Sequence, residues 1–467
     1  MTSFSGLSTA LTGLQAARRG LDVTGQNIAN ANTDGYTRQR VVQQSVGAPE
    51  VPALWATYDG GGGGVRVTDI ARLSDDFLTA RARSESGTLS QLTARQATMA
   101  GVESVLGEPG DTGIASQLSD LWAAWHDVAN RPGDLAARAQ LLARTTTAAD
   151  GFRAAHLKLD TQWSAGREQL AVAVDQVNIT AANVAELNQA ILRSTQAGIP
   201  VNELRDQRDQ LINSLAQATG AVARAGENGT IDVYLGGIAL VRGDRAETLA
   251  VSGATSMTDL RSGPSPAPSV TWTSIGTPAV LGGSIGGQVE ALGVTIPKYA
   301  DDLDAVAFAL RDTVNAAHAA GYDLDGNAGV AMFSATATAK DIANLVTDPR
   351  MVAASAQAPN PDPSLDGSNA SVLAEIGRGA SSPDDVYRRL VVDVGAAAQA
   401  ANRRQSIQAS VSTQAAAALE SAVGVNVDEE MVGLLSYQRA YEAAARVITA
   451  IDEALDVLIN RTGLVGR

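Results

Sequence analysis

The chain has three histidines, His126, His156 and His318, far apart in sequence and each set inside a helical pattern. A zinc site or a general base asks for imidazoles spaced to converge, as in H-x-x-x-H, and no such spacing occurs. They read as core or surface histidines. There is no cysteine, which excludes thiolate metal sites, thiol nucleophiles and disulfides and leaves the redox compartment open. The carboxylate pairs Asp75-Asp76, Asp301-Asp302 and Glu429-Glu430 have the residue types of a glycosidase acid/base pair. Each also lies at the start of a helical pattern, where the helix dipole accounts for it. "DLDGNAGVAMFS" from Asp323 superficially resembles a calcium loop, but its glycine is Gly326, at the fourth position rather than the sixth. Ser334 stands where the bidentate Glu belongs, and a β-turn at Asp325-Gly326 explains the stretch. Gly60 to Gly64 lacks the Lys-Ser/Thr of a phosphate loop and reads as a connector. Trp122 and Trp125 fall on one helical face as packed core, with an aromatic ligand cage as the alternative. No catalytic residue, metal ligand or cofactor is expected.

The composition narrows the partners. At 467 residues the chain is long enough for two or more domains and a sizeable core. Its 35 Lys+Arg face 50 Asp+Glu, a net charge of -15 that disfavours nucleic acid and an anionic membrane surface. No stretch approaches the roughly 18 apolar residues of a spanning helix, and the start lacks a cationic segment followed by an apolar one. Any export is expected to proceed without a cleaved signal.

The elements that would position functional side chains are mostly helical. Residues 3 to 31 carry Phe4, Leu7, Leu11, Leu14, Leu21 and Ile28 on a three-four spacing, with Ser3 as N-cap and Arg18 and Gly25 interrupting the seam. An Asn-rich string follows, Asn27, Asn30 and Asn32, then Asp34-Gly35 and Tyr36. From Ser74 to Gly220 the pattern predicts a bundle of long helices broken by "GEPGDTG" and "NRPGD". Residues 221 to 290 alternate β-branched and polar residues around glycines, which predicts a small β-rich insert. Helix returns at Val294 to Ala320 and Asp384 to Val423, and "GVNVDEE" starts a last one. There Leu434, Tyr437, Tyr441, Ala444, Ile448, Ile451, Leu455 and Leu458 alternate three and four apart without a break.

Both ends are thus heptad-like helices of roughly 30 residues, about 45 Å each. Neither has an obvious local partner, so they are expected to pair with each other, or else to dock on the chain's own bundle. Arg18, Arg19, Arg38 and Arg40 outnumber Asp22 and Asp34 at one end, while acids outnumber arginines at the other. A lone pair of this kind is marginal, and further chains would supply the missing burial.

"GLDVTGQNIANANTDGYTRQR" resembles the N-terminal signature of the bacterial flagellar axial proteins, the rod, hook and hook-associated subunits. "VNVDEEMVGLLSYQRAYEAAARVITAIDEALDVLIN" is similar to their C-terminal signature, and "GVRVTDIARLSDDFLTARAR" to the segment between the terminal helix and the first helical domain. Within the family, "GYTRQR", "ELRDQRDQLINSLA", "GYDLDGNAG" and "GVNVDEE" resemble the member at the hook-filament junction. Asp34 departs from many rod and hook relatives, which have Pro before the Gly.

The resemblance implies a mainly α fold with a β-rich insert. A terminal coiled coil (1–40 with 425–467) would form an inner tube, beside a bundle of long helices (41–220 with 291–424) and a small outer β domain (221–290). It implies a secreted, non-enzymatic structural subunit that polymerises at the hook tip through its terminal helices and joins hook to filament. Its partners would be further copies of itself in a ring or helical polymer, the hook protein, a second junction protein, the filament, the flagellar export apparatus and an export chaperone. The assembly interface would comprise Leu7, Leu11, Leu14, Leu21, Asn27, Ile28, Asn30, Asn32, Gly35 and Tyr36 with the C-terminal seam from Leu434 to Leu458, the asparagine amides making lateral hydrogen bonds. The alternatives are a hook or distal-rod subunit, an exported enzyme such as a cell-wall hydrolase, and a free bundle-type adhesin.

Overall fold

A computed structural model describes residues 3–46, 63–263, 265–358, 366–457 and 459. Leu458, the Gly60 to Gly62 part of the glycine run and residues 359–365 lie outside the described residues.

Helix boundaries follow from capping chemistry. After α1 (Ser3–Ala29) and a two-stranded antiparallel hairpin of β1 (Gln39–Ser45) and β2 (Val65–Arg72), α2 (Asp76–Leu106) starts where Asp75 accepts the Leu78 amide at 2.9 Å. It stops at Gly107, whose φ of 61° belongs to the left-handed region. Next come α3 (Ile114–Asn130), the 62-residue α4 (Leu135–Gln196), capped by Asp134, and α5 (Asn202–Thr219), ended by Gly220. α10 (Pro383–Val423) opens on the Ser382 cap with Pro383, Asp384 and Asp385 in its first turn, and α11 (Val427–Asp456) opens on the Asn426 cap. The acidic pairs Asp384-Asp385 and Glu429-Glu430 therefore sit where the positive end of the dipole favours them.

The insert holds β3 (Val222–Ala225), β4 (Ile231–Leu235), β5 (Ile238–Arg242) and β6 (Arg245–Ala246) in one antiparallel sheet in that order. β7 (Leu249–Ser252) pairs with β8 (Ser269–Trp272), and the short α6 (Met257–Arg261) lies between them. Its inward residues Val233, Leu235, Leu240, Val241, Leu249 and Trp272 belong to the same apolar cluster as Leu170, Val177 and Val184 of α4. α4 also grips strand backbone directly. Asn178 exchanges both of its amide bonds with Leu249, and Asn188 donates to Ile231 O and Gly243 O while accepting from Ile231 N and Arg208. The insert thus shares the helical core instead of enclosing a core of its own.

Beyond it α7 (Gly283–Glu290), a π turn (Ala291–Thr295) and α8 (Ile296–Ala319) form one continuous helical run, which begins about three turns before Val294, the expected start. In the π turn the Leu292 carbonyl accepts the buried Trp163 indole at 2.8 Å. The core of the body centres on Leu118, Trp125, Leu141, Phe152, Trp163, Leu303 and Leu310, all essentially without exposure. Burying each such side chain is worth about 1.5–3 kcal/mol. α9 (Ser368–Ala374) and the irregular segment before it close one end.

Candidate assembly interface: the paired terminal helices

α1 and α11 lie antiparallel along each other. Gly6 sits beside Ile451, Gly20 beside Tyr437, Thr24 beside Gly433 and Asn27 beside Glu430. The face of α1 that meets α11 carries small residues on heptad spacing, Gly6, Ala10, Ala17, Gly20, Thr24 and Asn27, while nothing lies within 4 Å of a Cβ placed on Gly13 of the same stripe. Ala10, Ala17, Gly20, Thr24 and Asn27 are buried. With no bulk on that face the helices approach closely, and a Cβ placed on Gly20 would meet the Tyr437 ring at 2.4 Å.

This corrects the reading of α1. The leucine stripe stands one residue further on, about 100° around the helix from the residues nearest α11. Leu7, Leu14, Leu21 and Ile28 are half-buried, and Leu11 is 48% exposed. The opposite flank meets the β1–β2 hairpin: the Val65 amide donates to Thr12 Oγ1, and Ala16 and Val23 are buried on that side. On α11 the half-buried face is Leu434, Tyr437, Ala444, Ile448, Ile451 and Leu455, with Tyr441 at its edge, 38% exposed. Val427, Met431, Val432, Leu435 and Val447 remain exposed beside it.

At the inner end of the pair the chain closes a polar joint. Asn27 is 1% exposed and uses every hydrogen-bonding position of its amide. Nδ2 donates to Gln39 O at 2.8 Å and to Glu430 Oε2 at 3.0 Å, while Oδ1 accepts from Tyr36 Oη at 2.8 Å and Gln39 N at 3.0 Å. Its amide is therefore spent within the chain, and the expected lateral bond from Asn27 is corrected. Asn30 likewise works locally, donating to Gln26 O and accepting from Thr33 Oγ1, whereas Asn32 is exposed. Arg38 bridges Glu430 and Glu429, both at 2.7 Å. Burial, with Asp206, Glu203 and Glu430 nearby, pushes the Tyr36 hydroxyl up to about 12, which keeps it a donor to Asn27. Gly35, at φ 78°, is covered by Gln210, which donates to Asp34 O.

The joint meets the body through α5. Arg72 of β2 contacts Asp206 at 3.0 Å and Asp209 at 2.8 Å, and Arg83 of α2 reaches Asp209 and, at 2.6 Å, Asn213. Asn202 donates to Ile70 O at 2.7 Å and to Gln39 Oε1. Arg208, from the other side of α5, donates to Asn188 and to Gly229 O. Arg38, Gln39, Arg72 and the small stripe were all missed from sequence. The heptad recurrence of glycine and alanine one position before the leucines was the available signal.

The other candidates have local duties. His318 is fully buried, donating from Nδ1 to Val330 O and accepting from Ala353 N at 2.9 Å, with Trp125 edge-on to its ring. His156 lies against Arg261 near Asp304, and His126 faces Glu375 at 3.6 Å. Asp323 turns its carboxylate onto the amides of Asp325 and Asn327. Trp122 donates to Asp384 at 2.8 Å and Trp125 is fully packed. Among the described residues no group of three or more His, Asp or Glu is placed to hold a metal ion. No described helix is long and apolar enough to cross a membrane.

Comparison with known proteins agrees with this architecture. Residues 99–333, half of the chain, match the family model of the flagellar hook-associated protein FlgK helical domain. Residues 7–37 match that of the flagella basal body rod protein, and residues 417–461 that of the flagellar basal body rod FlgEFG protein C-terminal region. The chain is similar to flagellar hook-associated protein 1 of Bacillus subtilis, 29% identical over the full length of both chains. It is 25% identical to that of Escherichia coli, over 97% of this chain and 99% of the relative. The fold resembles the solved structure of the flagellar hook junction protein FlgK from Burkholderia pseudomallei, at a TM-score of 0.62 and 16% identity. That match covers 74% of this chain and all of the other. With its helical body and both of its paired ends matched in this order, the chain belongs to the FlgK flagellar hook-associated protein family.

Proposed function

We infer that this chain is a structural subunit of the bacterial flagellum, polymerising at the hook tip and forming the junction between hook and filament. One observation carries the role of its ends: α1 and α11 pair with each other, keep apolar stripes on their outer flanks and share no extended packing with the helical body. Burial of those stripes needs further helices. Copies of the same chain supply them, through Leu7, Leu11, Leu14, Leu21 and Ile28 on α1 and the exposed margin of α11. In this reading 1–40 with 425–467 is the assembly unit, 41–220 with 291–424 the helical body and 221–290 the outward insert. The hook protein, a second junction protein and the filament lie on either side, and an export apparatus with its chaperone delivers the chain outside the cell. The subunit works by geometric fit between two polymers, without turnover.

The test is electron microscopy of cells lacking the gene, with an assay for filament protein in the medium. Bare hooks with filament protein spilled outside are the expected outcome. Absent hooks would move the chain to the rod or hook, and normal filaments would overturn an axial role.

A further inference from the structure

The hairpin between β3 and β4 turns on Asn228-Gly229, the one Asn-Gly pair in the sequence. Asn228 stands at φ 56°, ψ 31° and Gly229 at φ 82°, two successive left-handed residues at the tip. Asparagine and glycine tolerate that backbone, which accounts for their presence. Both are exposed, and no hydrogen bond holds the Asn228 side chain among the described residues. A methyl group placed on Gly229 would meet nothing within 4 Å. Beneath this tip lies a buried cation. Arg208 Nη1 donates to Gly229 O at 2.9 Å and to Asn188 Oδ1 at 3.1 Å, both uncharged acceptors. Arg208 is 3% exposed, and its Nε has no partner among the described residues. Burial lowers the guanidinium to about 10, which leaves it charged at neutral pH. Asn188, itself fully buried, also holds Ile231 and Gly243. The exposed tip thus supplies one of two acceptors to a buried charge where α4, α5 and β4 meet.

We propose that Asn228-Gly229 is a site of spontaneous deamidation, with water as the reactant, and that its isoaspartyl product takes the Gly229 carbonyl away from Arg208. The Gly229 nitrogen attacks the side-chain carbonyl carbon of Asn228. A C–N bond forms, the attacking nitrogen gives up its proton, and the bond to the side-chain nitrogen breaks. Ammonia leaves, and a five-membered imide remains. Water opens the ring at either carbonyl, so the net change is amide plus water to acid plus ammonia. Glycine has no side chain to obstruct the attacking nitrogen, and an exposed tip can open to bring the two atoms together. Opening at the main-chain carbonyl routes the backbone through the Asn228 side chain and lengthens it by one methylene. The turn is closed by Gly226 N to Thr230 O at 2.9 Å and Thr230 N to Glu227 O at 3.1 Å, with no slack for the added atom, so Gly229 shifts. Arg208 then keeps Asn188 alone, and an unmet buried donor on a charged group is the costly case.

The test incubates the full chain in warm, mildly alkaline buffer and follows the tryptic peptide Ala225–Arg242, in which Asn228 is the only side-chain amide, by mass spectrometry. That peptide should show the mass gain of an amide turned to an acid before any other asparagine of the chain does. An isoaspartate-specific methyltransferase should then label it. Asn228→Gly keeps a residue at ease in the left-handed turn and removes the reactive amide, so both signals should vanish. The isoaspartyl form, separated by ion exchange, should lose hydrogen-exchange protection at Ile231, whose amide shares the Asn188 acceptor with Arg208. Asn228→Asp carries the same charge on an ordinary backbone and should keep that protection. If Asn228 reacts no sooner than the other asparagines, the site is overturned. If the isoaspartyl form is as protected as Asn228→Asp, its effect on Arg208 is overturned. Both outcomes are independent of the flagellar reading.

Discussion

The ring of Tyr437 lies directly over the α-carbon of Gly20, so that an added methyl group would come within 2.4 Å of Cδ1 and 2.7 Å of Cγ. The obstructing atoms are at the root of the ring, where a small rotation cannot clear them. Gly20→Ala gains up to about 1 kcal/mol of helix propensity but incurs an overpacking cost of about 1–3 kcal/mol, and the cost should win. Gly25 is the control, since nothing lies within 4 Å of its added methyl. Gly25→Ala should slow amide hydrogen exchange along α1, and Gly20→Ala should speed it.

Asn27 should be the most sensitive polar residue of the joint. Asn27→Ala would strand the Gln39 amide and carbonyl and remove a donor from Glu430, at about 1–3 kcal/mol for each buried group left unmade. Asn27→Asp keeps the shape but sets a second carboxylate 3.0 Å from Glu430 Oε2. Both should release α11 from the hairpin, read as lost exchange protection at Gln39, and Asn27→Asp should recover in part at acid pH.

Leu11 separates folding from assembly. At 48% exposure it contributes little within one chain, so Leu11→Glu should shift monomer stability by no more than about 0.5 kcal/mol. Polymerisation and motility should nevertheless be lost, because the flank offered to the neighbouring copy then carries a charge. A motile strain carrying Leu11→Glu would exclude this stripe from the interface.

Two buried imidazoles make the body acid-sensitive. Burial holds His318, with Asp323 and Arg138 nearby, below the ordinary 6.5, and burial likewise lowers His156 beside Asp304, Arg261, Asp160 and Lys340. Between the depressed folded value and the unfolded one, the unfolded chain binds more protons. Stability is therefore full above about pH 6.5 and falls progressively as the pH drops through that window. The unfolding midpoint should decline from pH 7 to pH 5, and His318→Gln should lower it at neutral pH while flattening the decline.

The long helices were legible because their caps and periodicity are local. Asp384 to Val423 was expected and Pro383–Val423 is found, and "GVNVDEE" announced the start of α11, where the structure adds Asn426 as the cap. The α1 contact face was not legible in the same way. Periodicity weighs bulk, and a face that works by having none leaves its mark only as recurring glycine and alanine. Beyond the turn at Asp325-Gly326, the segment up to Ser355 gave no helical or strand period, although Met332, Phe333, Ala337, Ile342 and Val352 are fully buried. It is irregular chain whose carbonyls and amides are met by single side chains, Asn315, His318, Asn369 and the buried Arg138, and no repeat encodes such pairings.

On an α-helix one residue is a turn of about 100°. The leucine stripe of α1 follows its glycine-alanine stripe by one residue, and the hairpin flank precedes it by one. A neighbour seated on the leucines therefore approaches α1 from about a right angle to α11. In the proposed assembly each α1 would be a corner post, with its own α11 along one side and a helix of another copy along the next. Under that assembly, units joined at such corners would build a wall that bends at each subunit, which is the shape a tube requires.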